Sequence, residues 1–172
     1  MKKSIFVLIG FLLLTTAASA LSLIMARADM KNAKGEVIGT AVFMQMPDSV
    51  TIDLTISGLT PGKHGIHIHE FGKCDAPDFK TAGGHFNPTG KHHGVNNPKG
   101  GPHAGDLPNL VVGADGKVDV RLVAKGVSLI PGPNSLLKPG GTSLVIHAGP
   151  DDEMSDPAGN SGARVACGVI VA

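Results

Sequence analysis

The sequence predicts an all-β chain, an antiparallel sandwich or flattened barrel. Three observations carry this. Residues 49–57 alternate strictly, with Val50, Ile52, Leu54 and Ile56 set between Thr51, Asp53, Thr55 and Ser57. That is the period of two of a strand with one face on a core. The chain has 24 glycines and 12 prolines in 172 residues, many for a helical protein and suited to short strands joined by turns. Hydrophobic residues make up 42% of it, with no Trp or Tyr and six Phe, so the core must be aliphatic. No amphipathic helix longer than a turn or two can be traced.

The N-terminus has the anatomy of a secretory signal. Lys2 and Lys3 form a basic start, residues 5–14 an apolar run, and Ala18-Ser19-Ala20 a small-x-small cleavage site. The apolar run is too short to span a bilayer comfortably, and no cysteine follows it to take a lipid. Cleavage after Ala20 and export are expected, to a periplasm or an extracellular face. Residues 21–172 would remain as one domain with no transmembrane anchor. The formal charge of +1 becomes −1 without Lys2 and Lys3. Nothing in this balance points to nucleic acid, and no Lys/Arg cluster points to a membrane surface.

Along the chain, residues 23–30 are the first apolar stretch of the mature protein, 31–36 (KNAKGE) a turn, and 37–45 a second strand. After the alternating stretch 49–57, Gly58-Leu59-Thr60-Pro61-Gly62 turns the chain, and 64–70 (HGIHIHE) resumes the alternation. Residues 110–113 and 118–123, on either side of Asp115-Gly116, read as a hairpin. Residues 127–130, 143–147 and 164–171 are the remaining strand candidates. Eight short strands and two long loops are expected, the loops ending at Pro108 and spanning 148–162.

The loop 83–106 reads GGHFNPTGKHHGVNNPKGGPHAGD, with four histidines, seven glycines, three prolines and a closing aspartate. No helix or strand period runs through it, and long structureless loops inside compact domains are usually functional or disordered. Several imidazoles and one carboxylate suit zinc. His67 and His69, two apart on a predicted strand, project from one face while Ile66 and Ile68 take the other, so a strand offers two nitrogens to one metal. His147, ending a strand, and His85 are further candidates for the same metal. In an exported protein Cys74 and Cys167 read as a disulfide. Closing a loop of 93 positions would stabilise by about 4–5 kcal/mol on a chain-entropy model.

Five motifs together resemble the copper/zinc superoxide dismutases: HGIHIHE (64–70), GGHFNP (83–88), HAGDLPN (103–109), LVIHAGPDD (144–152) and GNSGARVACGVI (159–170). The resemblance runs from about residue 23 to 171, and the motifs look bacterial. It implies a Greek-key β-barrel, in a family that is itself a standard example of sandwich architecture. It implies copper ligands at His67, His69, His85 and His147, with His85 bridging to zinc. His103 and Asp106 match zinc ligands, and His93 is expected as the remaining one, with His92 as the alternative. Asp151 matches a carboxylate that ties a copper ligand to a zinc ligand, and Arg164 an arginine that guides an anion to copper. Cys74 and Cys167 match the family's disulfide, and His64 a structural histidine.

The implied substrate is the superoxide anion. It is dismutated in two half-reactions as copper is reduced and reoxidised, His85 supplying a proton. Three imidazoles and a carboxylate complete a tetrahedral zinc and leave it structural, whereas four imidazoles suit copper. The loop 148–162 departs from the resemblance, for it carries Asp151, Asp152, Glu153 and Asp156 and no lysine. Steering would then fall to Lys73, Lys80, Lys91 or Lys99. The alternative is a non-enzymatic exported copper/zinc-binding protein on the same fold, and either a monomer or a homodimer fits.

Overall fold

Alternation in the sequence becomes alternation in burial. In the computed structural model, which describes residues 23–172, β1 (Met25–Asn32) buries Ala26, Ala28 and Met30, and β2 (Val37–Met46) buries Ala41 and Phe43. Strand β3 (Ser49–Ile56) buries Val50, Ile52, Leu54 and Ile56 and turns its threonines and Asp53 outward. The expected signal segment, 1–20, lies outside the described residues.

Six further strands complete the set: β4 (Gly62–His64), β5 (Ile66–His69), β6 (Leu110–Val112), β7 (Val118–Lys125), β8 (Ser143–His147) and β9 (Arg164–Val169). Seven strands form one antiparallel sheet in the order β5-β8-β9-β1-β2-β3-β7, and β4 and β6 form a two-stranded ribbon. The ribbon ties the two edges of the sheet together, since β4 runs into β5 and β6 into β7 along the chain. Ile66, Ile68, Leu110, Leu136, Leu144 and Ile146 join the aliphatic core between these layers.

Three local expectations are corrected. The stretch 64–70 is two strands, not one, and the described residues carry nine strands where eight were expected. The chain divides at Gly65, whose N–H donates to Gly149 O (2.8 Å) and whose carbonyl accepts from His147 N (2.8 Å). Its backbone therefore serves the loop after β8. The hairpin expected over 110–123 keeps its turn, with Gly116 N donating to Gly113 O (2.9 Å). Its arms part, however, β6 pairing with β4 and β7 with β3. Residues 127–130 form no strand; Val127 and Leu129 are buried beneath a loop in which Leu136 N donates to Ser128 O (2.8 Å).

Strand β5 is the platform on which the histidines are arranged. All four of its residues are buried, although only Ile66 and Ile68 face the core. Its other face is covered by the loop 83–106, which continues the sheet past β5 through single bridges of His67 to Asp106 and His69 to His85. Ile68 N donates to Gly105 O, Gly105 N to Phe86 O, and Phe86 N to Ile68 O, each at 2.8 Å. An edge strand that would otherwise expose unpaired backbone groups is thus closed by the functional loop itself.

A second, smaller core lies outside the sheet, where Val145 and Cys167 pack against Phe79 and Ala82. The Cys74–Cys167 disulfide, with a Cα–Cα distance of 5.6 Å, fastens the segment 70–83 there.

Candidate metal centre

Strand geometry sets the first two imidazoles side by side on the outer face of β5. His85 arrives from the covering loop, its ring stacked 4.0 Å from that of His67, and His147 closes the group from the end of β8, 4.9 Å from His67. One ring nitrogen of each of His67, His69, His85 and His147 lies within 4.8 Å of the others.

The remaining nitrogens are already engaged, and their partners determine which atom is left over. His69 Nδ1 donates to Gly83 O (3.0 Å) and His147 Nδ1 to Gly162 O (3.1 Å). A carbonyl can only accept, so the proton sits on Nδ1 and the lone pair on Nε2. His67 is held the opposite way round, Nε2 donating to Asp151 Oδ2 (2.7 Å) and Nδ1 left bare. His67 Nδ1, His69 Nε2, His85 Nε2 and His147 Nε2 are all buried with no hydrogen-bond partner. Leaving a buried polar atom unsatisfied costs about 1–3 kcal/mol each. Four such atoms facing one another are the donor set of a nitrogen-loving transition metal.

A second group adjoins the first. His85, His93, His103 and Asp106 also present ligand atoms within 4.8 Å of one another. Asp106 Oδ1 lies 2.8 Å from His85 Nδ1, 3.1 Å from His93 Nδ1 and 3.3 Å from His103 Nδ1. Asp106 Oδ2 accepts from the backbone N–H groups of Gly94 (2.9 Å) and His103 (3.0 Å), which fix the carboxylate. Three nitrogens and one oxygen fit a closed tetrahedral zinc. His85 belongs to both groups, one nitrogen to each.

Asp151 joins the two. Its Oδ2 accepts from His67 and its Oδ1 from His93 Nε2 (2.9 Å). The backbone of Asp151 is itself held by Asn109, which donates from Nδ2 to Asp151 O (2.9 Å) and accepts Asp151 N–H on Oδ1 (2.8 Å). Only glycine fits at 159. It has φ +61°, and a Cβ there would strike the Asp151 carboxylate and come within 2.8 Å of His93 Nε2.

The electrostatics follow from this packing. Burial pushes His69 down to about 2, His67 to about 3 and His147 to about 4, so these rings stay neutral at pH 7. His93 is lowered by burial as well, but the carboxylates of Asp106 and Asp151 outweigh that and carry it up to about 9. Burial alone would raise Asp106; the imidazoles of His103, His85 and His93 hold it well below the usual carboxylate range. A positive metal in place of the shared protons would satisfy the same charges.

Arg164 stands beside the first group. Its Nη1 donates to Phe79 O (2.7 Å) and its Nη2 to Gly83 O (2.6 Å), the carbonyl that also holds His69. A cleft of about 470 Å³ opens there, lined by Pro77, Asp78, Lys80, Gly162, Ala163 and Arg164. Of the four lysines considered for steering, Lys80 is the one in this lining.

Each residue expected from the sequence thus has a place. His67, His69, His85 and His147 come together, as do His85, His93, His103 and Asp106, with Asp151 between the groups and Arg164 at the cleft. His92 stays outside, its ring 43% exposed while that of His93 is fully buried. His64 is buried, with Nδ1 2.7 Å from His147 O and Nε2 2.8 Å from Thr60 O. Sequence reasoning missed Asn109 and the carbonyls of Gly83 and Gly162. Asn109 lies inside the HAGDLPN motif, which was its one available signal; backbone carbonyls leave none.

Comparison with known proteins agrees with this geometry. The family model for copper/zinc superoxide dismutase (SODC) matches residues 37–170. A protein of Aquifex aeolicus named superoxide dismutase [Cu-Zn] 2 is 52% identical over 172 residues, covering 99% of both chains. Among solved structures, a SOD-like protein from Bacillus subtilis superposes with a TM-score of 0.81 at 43% identity, covering 83% of this chain and 96% of that one. The Cu/Zn superoxide dismutase of Brucella abortus gives 0.67 at 34% identity, covering 85% and 99%.

Proposed function

The chain belongs to the copper/zinc superoxide dismutases, and from that membership we propose that it dismutates superoxide at a copper held by His67, His69, His85 and His147. Zinc would be held beside it by His85, His93, His103 and Asp106. The observation that carries this reading is the set of four buried imidazole nitrogens without partners, on rings whose opposite nitrogens are engaged. When bound, copper supplies a one-electron couple through which two superoxide anions and two protons give dioxygen and hydrogen peroxide, while the fully ligated zinc is structural.

The protein's own groups do the rest. Arg164 is permanently charged; with two of its N–H groups tied to Phe79 and Gly83, its remaining donors can hold a small anion at the cleft. His85 Nε2 is the nitrogen able to take up and release a proton on the copper side. Asp151 keeps His67 in one tautomer and orients His93, and such outer partners govern metal affinity. His67, His69 and His147 are buried, which keeps bulk water off their rings.

Metal content and superoxide dismutation should be measured on one sample, before and after copper removal. One copper and one zinc per chain, with activity lost on copper removal and regained on its return, is the expected result. Zinc alone, with no activity after copper is supplied, would overturn the enzyme reading in favour of a metal-binding barrel. Export after cleavage at Ala20, to a periplasm or beyond the cell, is part of the same proposal and is supported by the disulfide. N-terminal sequencing should begin at Leu21; a mature chain beginning at Met1 would refute it.

A further inference from the structure

Two adjacent histidines compete for one place in the second group, and the carboxylate of Asp156 spans both. It comes from the loop after β8. Its Oδ2 takes the ring of His92 at Nδ1 (2.8 Å), and its Oδ1 accepts the backbone N–H of His93 (2.8 Å). One carboxylate thus restrains the side chain of the first residue and the main chain of the second. We propose that Asp156 is a positioning residue that decides which of His92 and His93 enters the metal centre, by holding His92 outside and His93 in register. The proposal rests on the zinc ligand set given above.

The local sequence makes such a latch necessary. His92 and His93 have the same chemistry, and their Cα atoms are about 3.8 Å apart, so the local sequence does not by itself select the ring that meets Asp106. Glycines stand close to the pair, Gly90 at φ +63° and Gly94 at +85°, in the left-handed region that glycine adopts without strain. Other ties run close by: His92 N donates to Gly100 O (3.0 Å), Gly94 N to Asp106 Oδ2 (2.9 Å), and Asn87 clasps Lys91, accepting its N–H (3.0 Å) and donating to its carbonyl (2.8 Å). Beyond the pair, Asn96 N donates to Glu153 O (3.0 Å) and Asn97 Nδ2 to Met154 O (2.8 Å). The last two bonds bring the two loops together, and none of these ties holds the ring of His92. Asp151 holds the ring of His93 (2.9 Å), but Asp156 spans both residues, taking the ring of His92 and the main chain of His93.

Zinc affinity, taken by competition with a chromophoric chelator on the full chain with copper already bound, tests this. His93→Ala should loosen zinc by about 100-fold, and Asp156→Ala alone by about 10-fold. The decisive result is a recovery. The double variant His93→Ala/Asp156→Ala should hold zinc about 10-fold more tightly than His93→Ala, because the freed His92 takes the vacant place. Adding His92→Ala to that double variant should abolish the gain. Asp156→Asn, which keeps an acceptor for the His93 N–H, should stay within a few-fold of the unsubstituted chain. A double variant no tighter than His93→Ala, or a recovery that survives the loss of His92, would overturn the latch. A His93→Ala chain with undiminished zinc affinity would instead overturn the ligand assignment, and the latch with it.

Discussion

An imidazole bonded to a carbonyl through one nitrogen has its lone pair committed to the other side. Gly83 O and Gly162 O do this for His69 and His147, and Asp151 does it for His67. The carboxylate has the larger task, since it also orients His93 in the neighbouring group. Asp151→Ala should lower zinc affinity by about 10–100-fold. It should also free the His67 tautomer, so that copper is held less firmly. Chelator competition run separately for each metal would check both, and unchanged zinc affinity would show that Asp106 and its backbone donors suffice to place His93.

At the scale of elements, the disulfide loop builds one wall of the cleft beside Arg164. The segment 70–83 carries Phe79 O and Gly83 O to Arg164, and sets Lys80 in the cleft, where its Nζ lies 3.0 Å from Asp78 Oδ2. Lys80→Glu should therefore cut kcat/KM by about 10-fold at low ionic strength, with the difference shrinking as salt is added. A salt-independent loss would indicate a local structural effect instead. Replacing both cysteines by serine should cost about 2–5 kcal/mol of stability, read from denaturant midpoints. Activity per bound copper should fall as well, because Cys167 and Val145 pack the segment that positions the guanidinium. The sequence showed the residues of this arrangement but not the arrangement. Four lysines were equal candidates for steering, and only folding sets Lys80 beside Pro77 and Gly162.

For the whole molecule the metal groups make stability depend on pH. Without metal, burial holds His69, His67 and His147 at about 2, 3 and 4 in the folded chain, against about 6.5 when unfolded. Below about 6.5 the unfolded chain then binds more protons, so stability falls as the pH drops, by on the order of 1 kcal/mol per pH unit for each ring. Asp106, held low, adds a loss at still lower pH as it protonates. His93 acts in the other direction. Its raised value gives stability that is complete below 6.5 and lost as the pH climbs through about 9. Metal-free protein should thus melt highest near neutrality and fall on both sides. Metal binding, which favours the folded state, should raise and flatten that profile. Calorimetry of both forms from pH 4 to 9 would check it, and a metal-free profile rising toward acid would contradict the packing described.

Strand class was readable in the sequence because side-chain alternation is a local property: Ile52 and Thr51 face opposite ways wherever the strand is placed. The grouping of the histidines was readable because HxH on a strand and HAGD in a loop bring metal-binding residue types together over a few positions. The disulfide was readable from two cysteines in a chain whose sequence carries the anatomy of an export signal. Tertiary structure alone separated His92 from His93, since the choice rests on Asp156 and Asp151, contacts 64 and 58 positions away. It alone divided the strand at Gly65 and parted the arms of the 110–123 hairpin, because strand partners are chosen across the whole chain. The same holds for the carbonyls that fix each imidazole. A backbone oxygen is identical at every residue, and only the fold decides which one meets a ring.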